Sequence, residues 1–162
     1  MNNTKVIFIS SVVTFLATSA IWIAGIVFYI VDFTYYFAGF MDSASFSVEV
    51  EAPHKVKMEE IFNLTVSVTN PSEETITLDS IDIYDSLLDG FEIISIEPEP
   101  DDVLHLFGFY SIYLYYKLAP GENVVVTCTL KAREPGLWIG DIDSCTPGQQ
   151  FVTVSKGILV EQ

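Results

Sequence analysis

Apolar and polar residues follow two different patterns along this chain. From Val6 to Val31 the sequence VIFISSVVTFLATSAIWIAGIVFYIV contains no charged residue, proline or asparagine. A helix of that length reaches about 39 Å at 1.5 Å per residue, against about 30 Å for the hydrocarbon core of a bilayer. The run is also longer than the apolar stretch of about 7–15 residues in a signal peptide, so the expectation is one transmembrane helix over residues 6–31.

Beyond residue 45 the pattern alternates instead. Phe46, Val48 and Val50 alternate with Ser47, Glu49 and Glu51; Leu64, Val66 and Val68 alternate with Thr65, Ser67 and Thr69; Val124, Val126, Cys128 and Leu130 alternate with Val125, Thr127, Thr129 and Lys131. A period of two marks half-buried strands. Further strands are predicted over 75–84, 91–97, 109–118, 136–142 and 150–160, divided by turn signals such as Asn70-Pro71-Ser72, Asp89-Gly90, Pro120-Gly121 and Pro135-Gly136. Seven to eight short strands predict an all-β, Ig-like antiparallel β-sandwich. The chain thus reads as a cytoplasmic tail 1–5, a transmembrane helix 6–31, an aromatic interfacial flank and linker 32–45, and a β-sandwich 46–162.

Charge orients the helix and narrows the partners. Only Lys5 precedes it, whereas Asp32, Asp42, Glu49 and Glu51 follow before the next basic residue, Lys55. An inside N-terminus with the domain on the extracytoplasmic side of the cell membrane follows from the excess of basic residues on cytoplasmic flanks. All 22 acidic residues lie in 32–162 with six of the seven basic ones, giving −16 there and −15 for the chain. Such a domain is repelled by nucleic acid.

The stretch FNLTVSVTNPSEETITLDSIDIYDSLLDGFEIISIEPEP, followed by LAPGENVVVTCTLKAREPGLWIGDIDSC, resembles the extracytoplasmic Ig-like domains of the CARDB type. The likeness lies in a strand ending V-x-N at Asn70, an apolar strand leading into S-x-x-P at Pro98, the A-P-G-E turn 119–122 and the late G-D-x-D at 140–143. It implies a non-catalytic module of surface display, adhesion or assembly. These are turn and core positions, so they speak to fold and not to a site.

Candidate chemistry is sparse. His54 and His105 are the two histidines, and neither stands at a metal-ligand spacing. The acidic clusters Asp79/Asp82/Asp85/Asp89 and Asp141/Asp143 are expected to be solvated turns, since Ca²⁺ takes six or more oxygens. No catalytic residue, metal site or cofactor is expected. Cys145-Thr146-Pro147-Gly148 is similar to the ligand loop of cupredoxins, but a blue-copper centre takes two histidines besides its cysteine, and none follows Cys145. Cys128 and Cys145 are candidates for a disulfide worth about 3 kcal/mol, with two buried free thiols as the alternative.

Two features point to partners. Ser10, Thr14, Ala17, Ala20 and Ala24 fall within about 120° of one helix face, a packing side for another membrane helix. In 103–116, VLHLFGFYSIYLYY places large apolar residues at both parities, more than one sheet face can bury. Phe107, Phe109, Tyr110, Ile112, Leu114 and Tyr116 are therefore candidate contacts for a partner or lipid. The expected function is a non-enzymatic accessory or assembly subunit whose partners are membrane lipid and other integral membrane subunits. A surface adhesion module and a degenerate cupredoxin-like redox protein are the alternatives.

Overall fold

The structure, a computed structural model, describes residues 46–147 and 150–162, all within the unit Ser43–Gln162. The expected membrane helix 6–31, its flank 32–45 and the face Ser10, Thr14, Ala17, Ala20 and Ala24 lie outside the described residues. Among the described residues no helix is long and apolar enough to cross a membrane.

Ten strands and one helical turn follow in order: β1 (Ser47–Glu51), β2 (Lys55–Lys57), β3 (Ile61–Thr69), β4 (Ile76–Tyr84), α1 (Asp85–Leu88), β5 (Phe91–Glu97), β6 (Asp102–Leu106), β7 (Phe109–Leu118), β8 (Asn123–Ala132), β9 (Gly136–Cys145) and β10 (Phe151–Glu161). They form a four-stranded sheet, β1-β3-β8-β5, and a six-stranded sheet, β2-β10-β9-β4-β7-β6. The expected seven to eight strands become ten because β2 has only three residues and β6 has no clean period. Among the described residues the pairings are antiparallel except at one edge, where β2 runs parallel to β10 and Val56 pairs with Val160.

Strand alternation builds the core. Leu64, Val66 and Val68 of β3 pair with Cys128, Val126 and Val124 of β8, and all but Val124 are wholly buried. Ile81, Ile83, Ile112, Ile142 and Ile158 meet them from the six-stranded sheet. Leu87 of α1 closes one end, lying so near β9 that a Cβ on Gly140 would stand 2.7 Å from the Leu87 backbone nitrogen.

The two poles are finished differently. Where the chain enters the domain, the buried Asn70 donates from Nδ2 to the carbonyls of Glu74 (2.7 Å) and Leu118 (2.9 Å), while its Oδ1 accepts from Ser72 N and Oγ. Its backbone exchanges hydrogen bonds with Gly121 and Glu122. The V-x-N and A-P-G-E segments thus meet as one stitched corner. The opposite pole carries α1 and the β6–β7 hairpin, joined where Asp85 N donates to Gly108 O at 3.0 Å. Ten-residue strands separate the poles by about 30 Å.

Candidate interaction surface

The open face of the six-stranded sheet has its own inventory. Cross-strand register aligns Thr153, Asp143, Asp82, Ser111 and Leu104 in one row; Phe151, Cys145, Ser80, Tyr113 and Asp102 form the row beside it. Opposed carboxylates such as Asp82 and Asp143 repel each other. Here hydroxyls absorb part of that charge: Thr153 Oγ1 donates to Asp143 at 2.6 Å, Tyr84 OH donates to the same carboxylate at 3.3 Å, and Ser155 Oγ donates to Asp141. Asp143 beside it, followed by burial, pushes the Tyr84 phenol up. Among the described residues no three His, Cys, Asp or Glu side chains are grouped to hold a metal.

Neither thiol carries the lowered pKa of a reactive cysteine. Burial raises Cys128 to about 12, and burial together with the charge of Asp82 raises Cys145 to about 12. A thiol needs a lowered pKa to react near neutrality. The disulfide considered between them is not formed; both cysteines are free. Cys128 faces the core from the four-stranded sheet, whereas Cys145 lies on the open face of the other, with Sγ 3.6 Å from Asp82 Oδ2. Sheets pack about 10 Å apart, beyond the roughly 7 Å between Cα atoms that a disulfide spans. The cupredoxin-type ligands are also kept apart: His54 stands just before β2 and His105 is on β6, at opposite edges of the sheet that carries Cys145 on β9.

Large apolar residues flank the acidic rows. Leu137 and Ile139 of β9 are 63% and 56% exposed, with Leu159 paired to Leu137 on β10 and Phe151 further along. At the other edge stand Leu104 and Leu106 of β6, and the hairpin tip Phe107 is 91% exposed. Leu106 pairs with Phe109 across a two-residue turn in which Phe107 and Gly108 have φ of 57° and 89°. That geometry favours Asn-Gly, and a phenylalanine in it is strained.

The candidate contacts in 103–116 separate accordingly. Phe107 and Tyr116 are exposed, while Phe109 and Tyr110 are half-buried. Ile112 and Leu114 are corrected to core residues, because register sets Ile112 opposite the buried Ile81 on the inner face. Leu104, Leu106, Leu137, Ile139, Phe151 and Leu159 were not singled out from the sequence. The apolar run Leu137-Trp138-Ile139 held a usable signal: with Trp138 packed on the core, both its neighbours must face outward.

Beneath the hairpin a cleft of about 350 Å³ opens between the sheets. Leu88, Phe91 and Tyr110 are among its walls, Asp85 and Asp89 supply carboxylates, and His105 Nε2 lies 2.9 Å from Asp85 Oδ1.

Two facing sheets around one core define an immunoglobulin-like β-sandwich. Neither a family model nor a curated protein matches the chain. Among solved structures, a cohesin module from a Clostridium perfringens family 33 glycoside hydrolase superposes with a TM-score of 0.50 at 10% identity, over 72% of this chain and 97% of that one. That likeness concerns the fold alone. A CARDB domain from Pyrococcus furiosus aligns with a TM-score of 0.43 and 15% identity, over 72% of this chain and 87% of its own. A superoxide reductase from Ignicoccus hospitalis aligns at 0.42 and 23%, over 71% and 80%.

Proposed function

We propose that this chain is a non-enzymatic, membrane-anchored accessory or assembly subunit whose extracytoplasmic Ig-like domain docks on a larger membrane complex. The observation that carries this reading is the set of large apolar side chains left outside a complete core: Leu104, Leu106, Phe107, Leu137, Ile139 and Phe151. Most of the exposed large apolar groups stand on the six-stranded sheet, with Ile61, Ile94 and Val125 on the other, and such a concentration favours burial against a partner. The raised thiols and the placement of His54 and His105 at opposite sheet edges support a binding role over nucleophilic chemistry in this reading. The apolar run 6–31 supplies the anchor in this reading, and Lys5 against the acidic flank supplies its orientation.

The test is extraction of the full chain from its native membrane in mild detergent, with mass determined by light scattering. Stoichiometric membrane partners are expected, and a clean monomer overturns the proposal. A Leu137→Glu/Ile139→Glu chain should lose those partners with its melting temperature unchanged, whereas Val125→Glu, on the four-stranded sheet, should keep them.

A further inference from the structure

The cleft under the β6–β7 hairpin has a definite chemistry. It lies at the pole opposite the one where the chain enters the domain, between edge strand β5 of one sheet and the hairpin of the other. Its volume of about 350 Å³ is at the small end for ligand sites and suits one long side chain. Leu88, Phe91 and Ile93 offer apolar contact and Tyr110 adds a second ring; of the two carboxylates, Asp85 is paired with His105 of the same lining at 2.9 Å, and the exposed Asp89 brings the negative charge. Two of the chain's own cations nearby are engaged elsewhere, Arg133 by Glu59 and Glu92 and Lys131 by Glu59 at 2.6 Å, while His105 stands in the lining itself against Asp85. Beside the cleft, Phe107 projects in a strained conformation with Leu104 and Leu106 exposed behind it.

Building on the assembly reading above, we propose that this cleft receives a lysine or arginine side chain of the partner protein, while the hairpin tip covers apolar residues adjoining that basic residue. A long basic side chain matches both parts of the lining. Its methylenes lie along Leu88 and Ile93, and its charged head reaches Asp89 and the rings of Phe91 and Tyr110. The surplus of negative charge on the domain draws a basic surface toward it and disfavours an anionic one.

The experiment uses the full chain in detergent with fluorescein-labelled acetyl-Leu-Arg-Leu-amide and its citrulline counterpart, which keeps the shape and removes the charge. Fluorescence anisotropy should show the arginine peptide binding about tenfold tighter. Asp89→Lys, a change at an exposed position, should abolish that preference without altering the circular dichroism melt. Equal binding of the two peptides, or a preference that survives Asp89→Lys, overturns the proposal. Displacement of the arginine peptide by phosphocholine at equal concentration assigns the cleft to a lipid headgroup and likewise overturns it. A photocrosslinker at position 107 in native membranes separates this proposal from the reading beneath it. Crosslinks formed equally with and without Asp89→Lys leave the assembly reading standing while the cleft assignment fails. No crosslink from position 107 or 139, with arginine-selective peptide binding intact, retains the cleft's chemistry and removes the assembly reading.

Discussion

β7 and β8 are both ten residues long and both have a hydrogen-bonded neighbour on each side, yet they handle their second face in opposite ways. In β8 the inner positions Val124, Val126, Cys128 and Leu130 are buried, while the outer ones end in Thr127, Thr129 and Lys131, with Val125 the one exposed aliphatic. Water completes that face. In β7, Ile112, Leu114 and Leu118 are buried, but the other positions hold Phe109, Tyr113, Tyr115 and Tyr116. Its pairing with β4 also shifts register between Leu78 and Ser80, near Tyr115 at φ 44°. A half-buried strand needs apolar residues on one face only. The excess on β7 and its hairpin leaves Tyr115, Tyr116, Leu104, Leu106 and Phe107 exposed, and it is this surface that the proposed docking would cover.

The contrast breaks first in the core. Leu130→Asp in β8 should cost more than about 4 kcal/mol and unfold the domain by burying an unpaired charge. Thr129→Asp, one residue along and on the wet face, should cost no more than about 1 kcal/mol. Urea denaturation reads both, and equal damage would mean that β8 has a covered second face.

The next effect lies where β7 ends. Asn70→Ala removes the donor to the Leu118 carbonyl and the acceptor for Ser72, and should cost about 2–3 kcal/mol because a buried carbonyl is left unpaired. Retained stability would show that the stitched corner closes on backbone hydrogen bonds alone.

Alkaline pH tests the buried side of β8. The Cys128 thiol is raised from 9.0 to about 12 in the folded chain. Between those values the unfolded chain has released a proton that the folded chain keeps, so the contribution is full below pH 9 and is lost as pH rises toward 12. Unfolding midpoints should fall over that window. Cys128→Ala should remove part of the fall, with the raised Cys145, Tyr84, Tyr110 and Tyr115 among the groups carrying the remainder.

The smallest effect has the opposite sign. Phe107→Asn converts the hairpin to Asn-Gly, the pair its two positive φ values favour, and should raise stability by about 1 kcal/mol while weakening partner binding. A loss of stability in the isolated chain would show that Phe107 packs within the domain and is not held ready for contact.

Much of this arrangement was legible before the fold. The segments 91–97 and 109–118 coincide with β5 and β7, and 75–84 and 150–160 fall within a residue of β4 and β10. Their limits are set by alternation and by Gly and Pro turns, which are local properties. β6 was missed because Asp102–Leu106 has no clean period, and its turn went unmarked because Phe-Gly is an unfavourable sequence for two positive φ values. The cysteines were seen as a pair only because sequence distance says nothing about which sheet a strand joins.

The sequence by itself determined the strand segments, the inward-facing residues of β3 and β8, and the acidic surface, since side-chain alternation and charge are carried by each stretch alone. Only the tertiary structure decided that Ile112 and Leu114 are core while Leu104 and Leu106 stand outside, that Asn70 reaches across to the 118–122 turn, and that Asp85, Asp89, Phe91 and Tyr110 line one cleft. Those facts depend on register and on pairing between strands far apart in sequence. A one-residue slip exchanges every inward side chain for its neighbour.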